Sequence, residues 1–394
     1  MALLNHLGEP VTPERIIGEN FNKNRRNKII TASDMDNTMF ANDLGPLVFL
    51  EKLADPRFWI LDFSEFARIL LPKKYRKLLE EGTAGDVPEL EPELCSLALG
   101  LVYDIIELYK HVQKIESSIN SNGNGSEQSL IREFARKMME LDHIFFTIDV
   151  ILAEKMNGEI LMRTRFFAGK HPAVIADLTR KVFEIKKTSV DRPIELPITP
   201  ENRHTANQQI SEEMISALHK GNSPYRKIDR YVKTIDDVRD FIAASVKAGI
   251  PTIVATGNLN AIAKTAIKSS GYAFMQHQHF RRKNTGRKPQ PLVVGTWLQD
   301  GENGTLHPRV KDRAVLGEFK AQRVKDVAAG LNRDPGISLG DSYSDLPMLN
   351  DSLDAGGIAI LIGKQLEEIR EKFHKAFNGK SPENNPKIYV SVKN

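Results

Sequence analysis

The chain has 394 residues, 41% apolar and 27% charged, with a formal net charge of +4. That length exceeds what one compact core usually holds, so two domains are expected. The composition is that of a globular protein and not of a disordered or fibrous chain, and the charge is too mild to point to a nucleic-acid binder.

A lone cysteine, Cys95, excludes an intramolecular disulfide and fits a reducing compartment. It stands in the apolar stretch "ELCSLALGLVYDII", the setting of a buried core thiol. The first residues show no basic segment followed by an apolar one, so no secretory signal is expected. No stretch approaches roughly 18 uninterrupted apolar residues, so no membrane span is expected and a cytoplasmic location is.

Residues 1–28 are polar and contain Pro and Gly, and an apolar strand opens at Lys28–Ala32. It runs into "SDMDNT", where two carboxylates, Asp34 and Asp36, stand one residue apart. From 44 to 230 the reading is almost wholly helical. "LGPLVFLEKLA", "ELCSLALGLVYDIIELYKHVQKI", "SLIREFARKMMELDHIFFTIDVILAEKM" and "PAVIADLTRKVFEIKK" repeat apolar residues at three- and four-residue spacing. "SINSNGNGSEQS" reads as a loop, and the Pro-rich "SVDRPIELPITPENR" as extended.

From 235 the texture changes. Asp236–Ala248 reads as a helix stopped by Gly249, "IPTIVAT" as a buried strand and "LNAIAKTAIKSSG" as a helix. "PLVVGTWLQDGENGTLHPRV" reads as a hairpin turning at "DGENG". "EFKAQRVKDVAAGLN" reads as a helix, "GISLGD" and "GGIAILIG" as strands, with a charged helix last. Strand–helix alternation predicts an α/β fold, a Rossmann-like doubly wound parallel sheet. The strand at 29 belongs to it, so the helical block is an insertion: core at 1–43 and 231–394, insertion at 44–230.

Open α/β sheets bind ligands beyond the carboxyl ends of their strands. Three strands here end in polar clusters: "SDMDNT", "TGN" and "GDSYSD". With Lys320, at the start of a helix, they would gather Asp34, Asp36, Thr256, Lys320, Asp341 and Asp345. Four carboxylates in one cleft repel one another and require a cation. An all-oxygen set suits Mg²⁺, which keeps waters and accepts phosphate oxygens. A carboxylate can attack phosphorus, and a second can move the proton of the leaving oxygen and of the water.

"DMDNT" at 34–38, "TGN" at 256–258, Lys320 and "GDSYSD" at 340–345 resemble, in order, the four signature motifs of the haloacid dehalogenase superfamily. The resemblance covers 29–43 and about 235–363. It implies Asp34 as nucleophile and, with Asp341, as Mg²⁺ ligand. It implies Asp36 as general acid/base, its backbone carbonyl also on the metal. Thr256, the Gly257 amide and Asn258 would face the phosphoryl group and substrate. Lys320 would hold the charge of the phospho-aspartate, and Asp345 would orient metal-bound water or Lys320. The acid two residues after the nucleophile marks the members that transfer phosphoryl groups, not the dehalogenases or ion pumps.

An insertion between the first two motifs corresponds to a C1 cap, and a helical one resembles the phosphoserine and phosphorylcholine phosphatases. This insertion is far larger than theirs. Asp43 lies where phosphoserine phosphatases place a glutamate on the substrate ammonium, and it equally suits an N-cap of the helix from Leu44. Arg57 and Trp59 in "DPRFWILDF" could grip a carboxylate or a cation, or form core. His277 and His279 alternate like strand residues, and "HFRRKNTGRK" reads as a solvated loop. The expected activity is a Mg²⁺-dependent phosphomonoesterase on a small phosphorylated metabolite, possible amine-bearing examples being phosphoserine, phosphorylcholine and phosphoethanolamine. The alternatives are a phosphotransferase and a regulatory protein using its enlarged cap for a partner. Neither oligomeric state nor substrate is legible.

Overall fold

The computed structural model describes residues 3–41, 44–54, 62–71, 73–82, 90, 92–116, 125–151, 158–184, 194–197, 225–228, 232–270, 272, 292–363, 365–374 and 385–392. Asp43, Arg57, Trp59, His277, His279, Arg281 and Arg282 lie outside them.

The described chain divides into two compact units, Met1–Leu44 with Val232–Trp297 and Asp312–Asn394, and Gly45–Tyr231 with Leu298–Lys311. The first is an α/β unit. Its strands are β1 (Leu3–Leu4), β2 (Pro10–Val11) and β3 (Ile29–Asp34), with helices α1 (Pro13–Asn20) and α2 (Lys23–Arg26) between β2 and β3. Thr12 starts α1 by accepting from the Arg15 amide at 3.3 Å, with Pro13 next to it.

The second unit supplies the next elements: α3 (Leu44–Ala54), α4 (Phe63–Leu70), α5 (Lys73–Glu81), α6 (Pro92–Glu116), α7 (Gly125–Ile151), α8 (Gly158–Arg165), α9 (Pro172–Glu184), β4 (Ile194–Pro197) and β5 (Tyr225–Ile228). The chain then returns to the first unit as α10 (Asp236–Lys247), β6 (Thr252–Leu259), α11 (Asn260–Ser269) and β7 (Leu292–Thr296). A hairpin, β8 (Leu298–Asp300) and β9 (Leu306–Val310), belongs to the second unit. The first unit closes with α12 (Gly317–Gly330), β10 (Asp334–Gly340), α13 (Leu346–Asp354), β11 (Ile358–Gly363), α14 (Leu366–His374) and β12 (Ile388–Val392).

The main sheet has the order β2-β1-β12-β11-β10-β3-β6-β7, parallel from β12 to β7. Every residue of β3 is buried, as a central parallel strand covered on both faces requires. Alternate residues face opposite sides. Ile30 and Ala32 of β3 and Ile253 and Ala255 of β6 share one cluster with Ala321, Val324 and Ala328 of α12. Burying that face fixes the helix that carries Lys320.

In the second unit, Phe66 stacks on Tyr109 with ring centroids 3.6 Å apart and meets Phe134 and Phe166 edge-on or tilted near 6 Å. Cys95 is buried there. No described helix is long and apolar enough to cross a membrane.

The Pro-rich stretch read as extended holds β4, which pairs antiparallel with β5. One reading of the sequence needs correction. "PLVVGTWLQDGENGTLHPRV" is not a single hairpin. Its first five strand residues join the main sheet beside β6, and only Leu298–Val310 form the hairpin. That hairpin is tied to the helical unit by backbone bonds, Gly169 N–H to the Leu306 carbonyl at 2.7 Å and Leu306 N–H to the Lys170 carbonyl at 3.0 Å. The apolar "LVV" reads alike as a hairpin arm or a sheet strand, so periodicity could not separate the two.

Candidate active site

Strands β10, β3 and β6 are neighbours and run the same way, with Leu339 opposite Ser33 and Asp34 opposite Ala255. Asp34 ends β3, Asp341 follows β10, and Thr256 follows Ala255, so all three emerge at one edge of the sheet. Lys320 lies on the buried face of α12 with Ala321, Val324 and Ala328, and is 1% exposed.

The Lys320 ammonium donates to Asp34 Oδ1 and Asp345 Oδ1, both at 2.7 Å. One cation thus bridges two buried carboxylates. The other oxygen of Asp345 accepts from the Asp341 amide at 3.0 Å, the Ser342 amide at 3.1 Å and the Ser342 hydroxyl at 3.0 Å. The turn after β10 is wrapped around that carboxylate. Gly340 permits it: an added Cβ would lie 2.5 Å from Asp345 Cβ. Thr38 donates to Asp341 Oδ1 at 3.2 Å, joining the β3 turn to the β10 turn. Asn37 makes the turn with a left-handed φ of 55°, a conformation Asn tolerates.

Asp36 stands in a separate polar pocket of the turn. Its Oδ2 accepts from the Thr256 hydroxyl at 3.2 Å and from the Asn258 side-chain amide, and its Oδ1 from the Leu44 backbone amide at 2.8 Å. The Asn258 backbone amide donates to the Thr256 hydroxyl at 3.1 Å.

Burial pushes the Asp34 carboxyl well above the ordinary range; Lys320 opposes this, while Asp345, Asp341 and Asp36 add to it. For Lys320, burial works against the charged form, but Asp34 and Asp345 outweigh it and hold the ammonium well above its usual range. The lysine stays protonated.

Ligand oxygens of Asp34, Asp341 and Asp345 lie within 4.8 Å of one another. An all-carboxylate set fits a hard cation such as Mg²⁺. Both Asp345 oxygens already accept bonds from Lys320 and the turn, so Asp345 is better suited to fix Lys320 than to donate to an ion. The Asp36 side chain is outside that set of three.

The site therefore brings together Asp34, Lys320, Asp341 and Asp345, and beside them Asp36, Thr256 and Asn258. Sequence reasoning gave Thr38 and Ser342 no role. Ser342 stands three residues before Asp345, the spacing of a capping box, and that signal could have revealed it.

No protein-family model and no curated protein matches this sequence. Solved structures do resemble it. A conserved protein of unknown function from Anaerococcus prevotii DSM 20548 aligns at TM-score 0.56 and 14% identity, over 94% of this chain and 86% of that one. This likeness is one of fold. Two others align at TM-score 0.37. A HAD family hydrolase from Salmonella enterica subsp. enterica serovar Typhi has 13% identity over 88% of this chain and 65% of that one. Cytosolic 5'-nucleotidase IIIB bound to cytidine has 14% identity over 96% and 84%. Likeness at that level carries no function over.

Proposed function

We propose that this chain is a haloacid dehalogenase-type phosphomonoesterase that uses Mg²⁺ and acts on a small phosphorylated metabolite. The observation that carries the reading is the buried Asp34–Lys320–Asp345 bridge at the carboxyl edge of the sheet, with Asp341 beside it and Asp36 in its own donor pocket.

In this reading Asp34 attacks phosphorus and the bond to the leaving oxygen breaks, giving a phospho-aspartate. Asp36 gives its proton to the leaving oxygen. It then takes a proton from the water that attacks the phospho-aspartate, releasing inorganic phosphate and restoring Asp34. Lys320 offsets charge on Asp34 and on the transferring group. Thr256 and the Gly257 amide would hold phosphoryl oxygens. Asp34 and Asp341 would hold Mg²⁺, which when bound favours ionised Asp34 and neutralises phosphoryl charge. Asp43, Arg57 and Trp59 remain candidates for substrate selection by the helical unit, an inserted cap.

The test is a Mg²⁺-dependent phosphatase screen across phosphoamino acids, phosphorylcholine, phosphoethanolamine, sugar phosphates and nucleotides. Turnover that Asp34→Asn abolishes is expected. Full activity in Asp34→Asn would overturn the reading.

A further inference from the structure

The Thr296 hydroxyl has no part in that chemistry, yet the residue is wholly buried at the end of β7. The β6–β7 ladder pairs Ala255 with Val294 and Leu259 with Thr296. Four steps along β6 therefore answer two along β7, and Thr256, Gly257 and Asn258 bulge from the ladder. The bulge is the segment expected to hold the phosphoryl group.

Two β7 residues shape it. Gly295 leaves no room for a side chain, since a Cβ there would lie 2.9 Å from the Asn258 carbonyl oxygen. Thr296 Oγ1 donates to the Gly257 carbonyl at 2.6 Å and accepts from the Val315 amide at 3.1 Å. The N–H of that same Gly257–Asn258 peptide donates to the Thr256 hydroxyl at 3.1 Å. One peptide plane is thus gripped at its carbonyl by Thr296 and at its amide by Thr256. A peptide is planar, so fixing the carbonyl aims the amide as well. Thr256 and Asn258 both donate onward to Asp36 Oδ2.

We propose that Thr296 is a positioning residue: it sets the Gly257–Asn258 peptide and thereby aims Thr256 and Asn258 at Asp36. A hydroxyl can donate and accept at once, which Ser shares and Val lacks. The kinetic consequence rests on the phosphomonoesterase reading; the geometric one does not.

The experiment compares the full chain with Thr296→Ser and Thr296→Val, in turnover and in crystal structures. Thr296→Ser should stay within about twofold of wild-type kcat, and folded Thr296→Val should lose about tenfold or more in kcat with KM little changed, as is usual when groups that orient a site are removed. Its crystal structure should show the Gly257–Asn258 peptide rotated and the Asn258 bond to Asp36 broken. If Thr296→Val does not fold, Thr296→Ala is read the same way. An unmoved peptide and Asp36 in the folded variant overturn the proposal, as does a wild-type kcat per folded molecule. A wild-type chain that hydrolyses no phosphomonoester would sink the functional reading alone, and the crystal structures would still decide on Thr296.

Discussion

The side-chain amide of Asn258 donates to Oδ2 of Asp36, the same oxygen that the Thr256 hydroxyl reaches. That Asp36 oxygen accepts from two neutral side chains, while Asp34, two residues earlier, accepts from the Lys320 ammonium. Two carboxylates in one short turn thus differ in burial and in the side chains that donate to them. Such divergence is how neighbouring acids come to hold separate roles. It also gives Asn258 the task of orienting Asp36.

Asp36 should matter in proportion to the leaving group's need for a proton. Asp36→Asn is expected to slow an alkyl phosphate by about 10²–10⁴-fold, the usual range for general acid–base catalysis. With p-nitrophenyl phosphate, whose leaving group departs as a stable anion, the loss should be much smaller. Asn258→Ala should show the same leaving-group pattern at about tenfold. Equal losses on both substrates in steady-state assays would count against the assignment.

Asp34→Asn should separate activity from stability. Burial raises the Asp34 carboxyl, so the fold holds its proton more tightly than the unfolded chain does. That contribution is present at low pH and is lost as pH rises through the raised value. Metal-free wild type should therefore lose Tm, relative to Asp34→Asn, as pH rises from the ordinary carboxylate range through that raised value. The variant should be inactive and more stable than metal-free wild type at neutral pH. Mg²⁺ should raise the wild-type Tm more than the variant's. Scanning calorimetry with and without Mg²⁺ checks both signs.

Lys320→Met should be damaging for the opposite reason. Removing the shared ammonium leaves Asp34 and Asp345 facing each other, both buried. Breaking a buried pair from one side typically costs about 3–5 kcal/mol. Combining it with Asp34→Asn should recover part of that loss, because residues in one network are non-additive. Denaturant melts of the two single variants and the double variant measure the coupling. Strict additivity would mean that the bridge does not hold the fold.

Much of this architecture was legible because its signals are local. "IITASD" is β-branched and apolar, and β3 is a buried strand ending on Asp34. "GDSYSD" puts Asp341 and Asp345 on one turn, so a strand end and a short spacing already bring them near each other. Other features depend on partners far along the chain. The hydroxyl of Thr38 finds Asp341, 303 residues away, and that of Thr296 finds Gly257 from the next strand. Nothing near either residue announces this. The closing strand β12, "IYVSV", was missed although its β-branched and aromatic residues suit a strand, and the helix "PERIIGEN" was missed despite the Thr12-Pro13 start.

Gly340 offers the narrowest test of the site's construction. It ends β10, and the carboxylate of Asp345 folds back against it to collect the two amides and the hydroxyl of the turn. A methyl group at 340 would stand 2.5 Å from Asp345 Cβ and 2.8 Å from its Oδ2. Backbone or Asp345 must then move, and Asp345 cannot do so without releasing Lys320. Gly340→Ala should therefore behave as a loss of the bridge while every charged residue is still present. Turnover should fall at least tenfold, and Tm should drop by several degrees, a cost of order 1–3 kcal/mol for overpacking. Asp345→Ala alone should also lose the turn. In the double variant Gly340→Ala with Asp345→Gly, which lacks the Asp345 Cβ as well as its carboxylate, the clash is gone, so it should be no less stable than Asp345→Gly alone. If Gly340→Ala melts and turns over like wild type, the turn is not built around the Asp345 carboxylate.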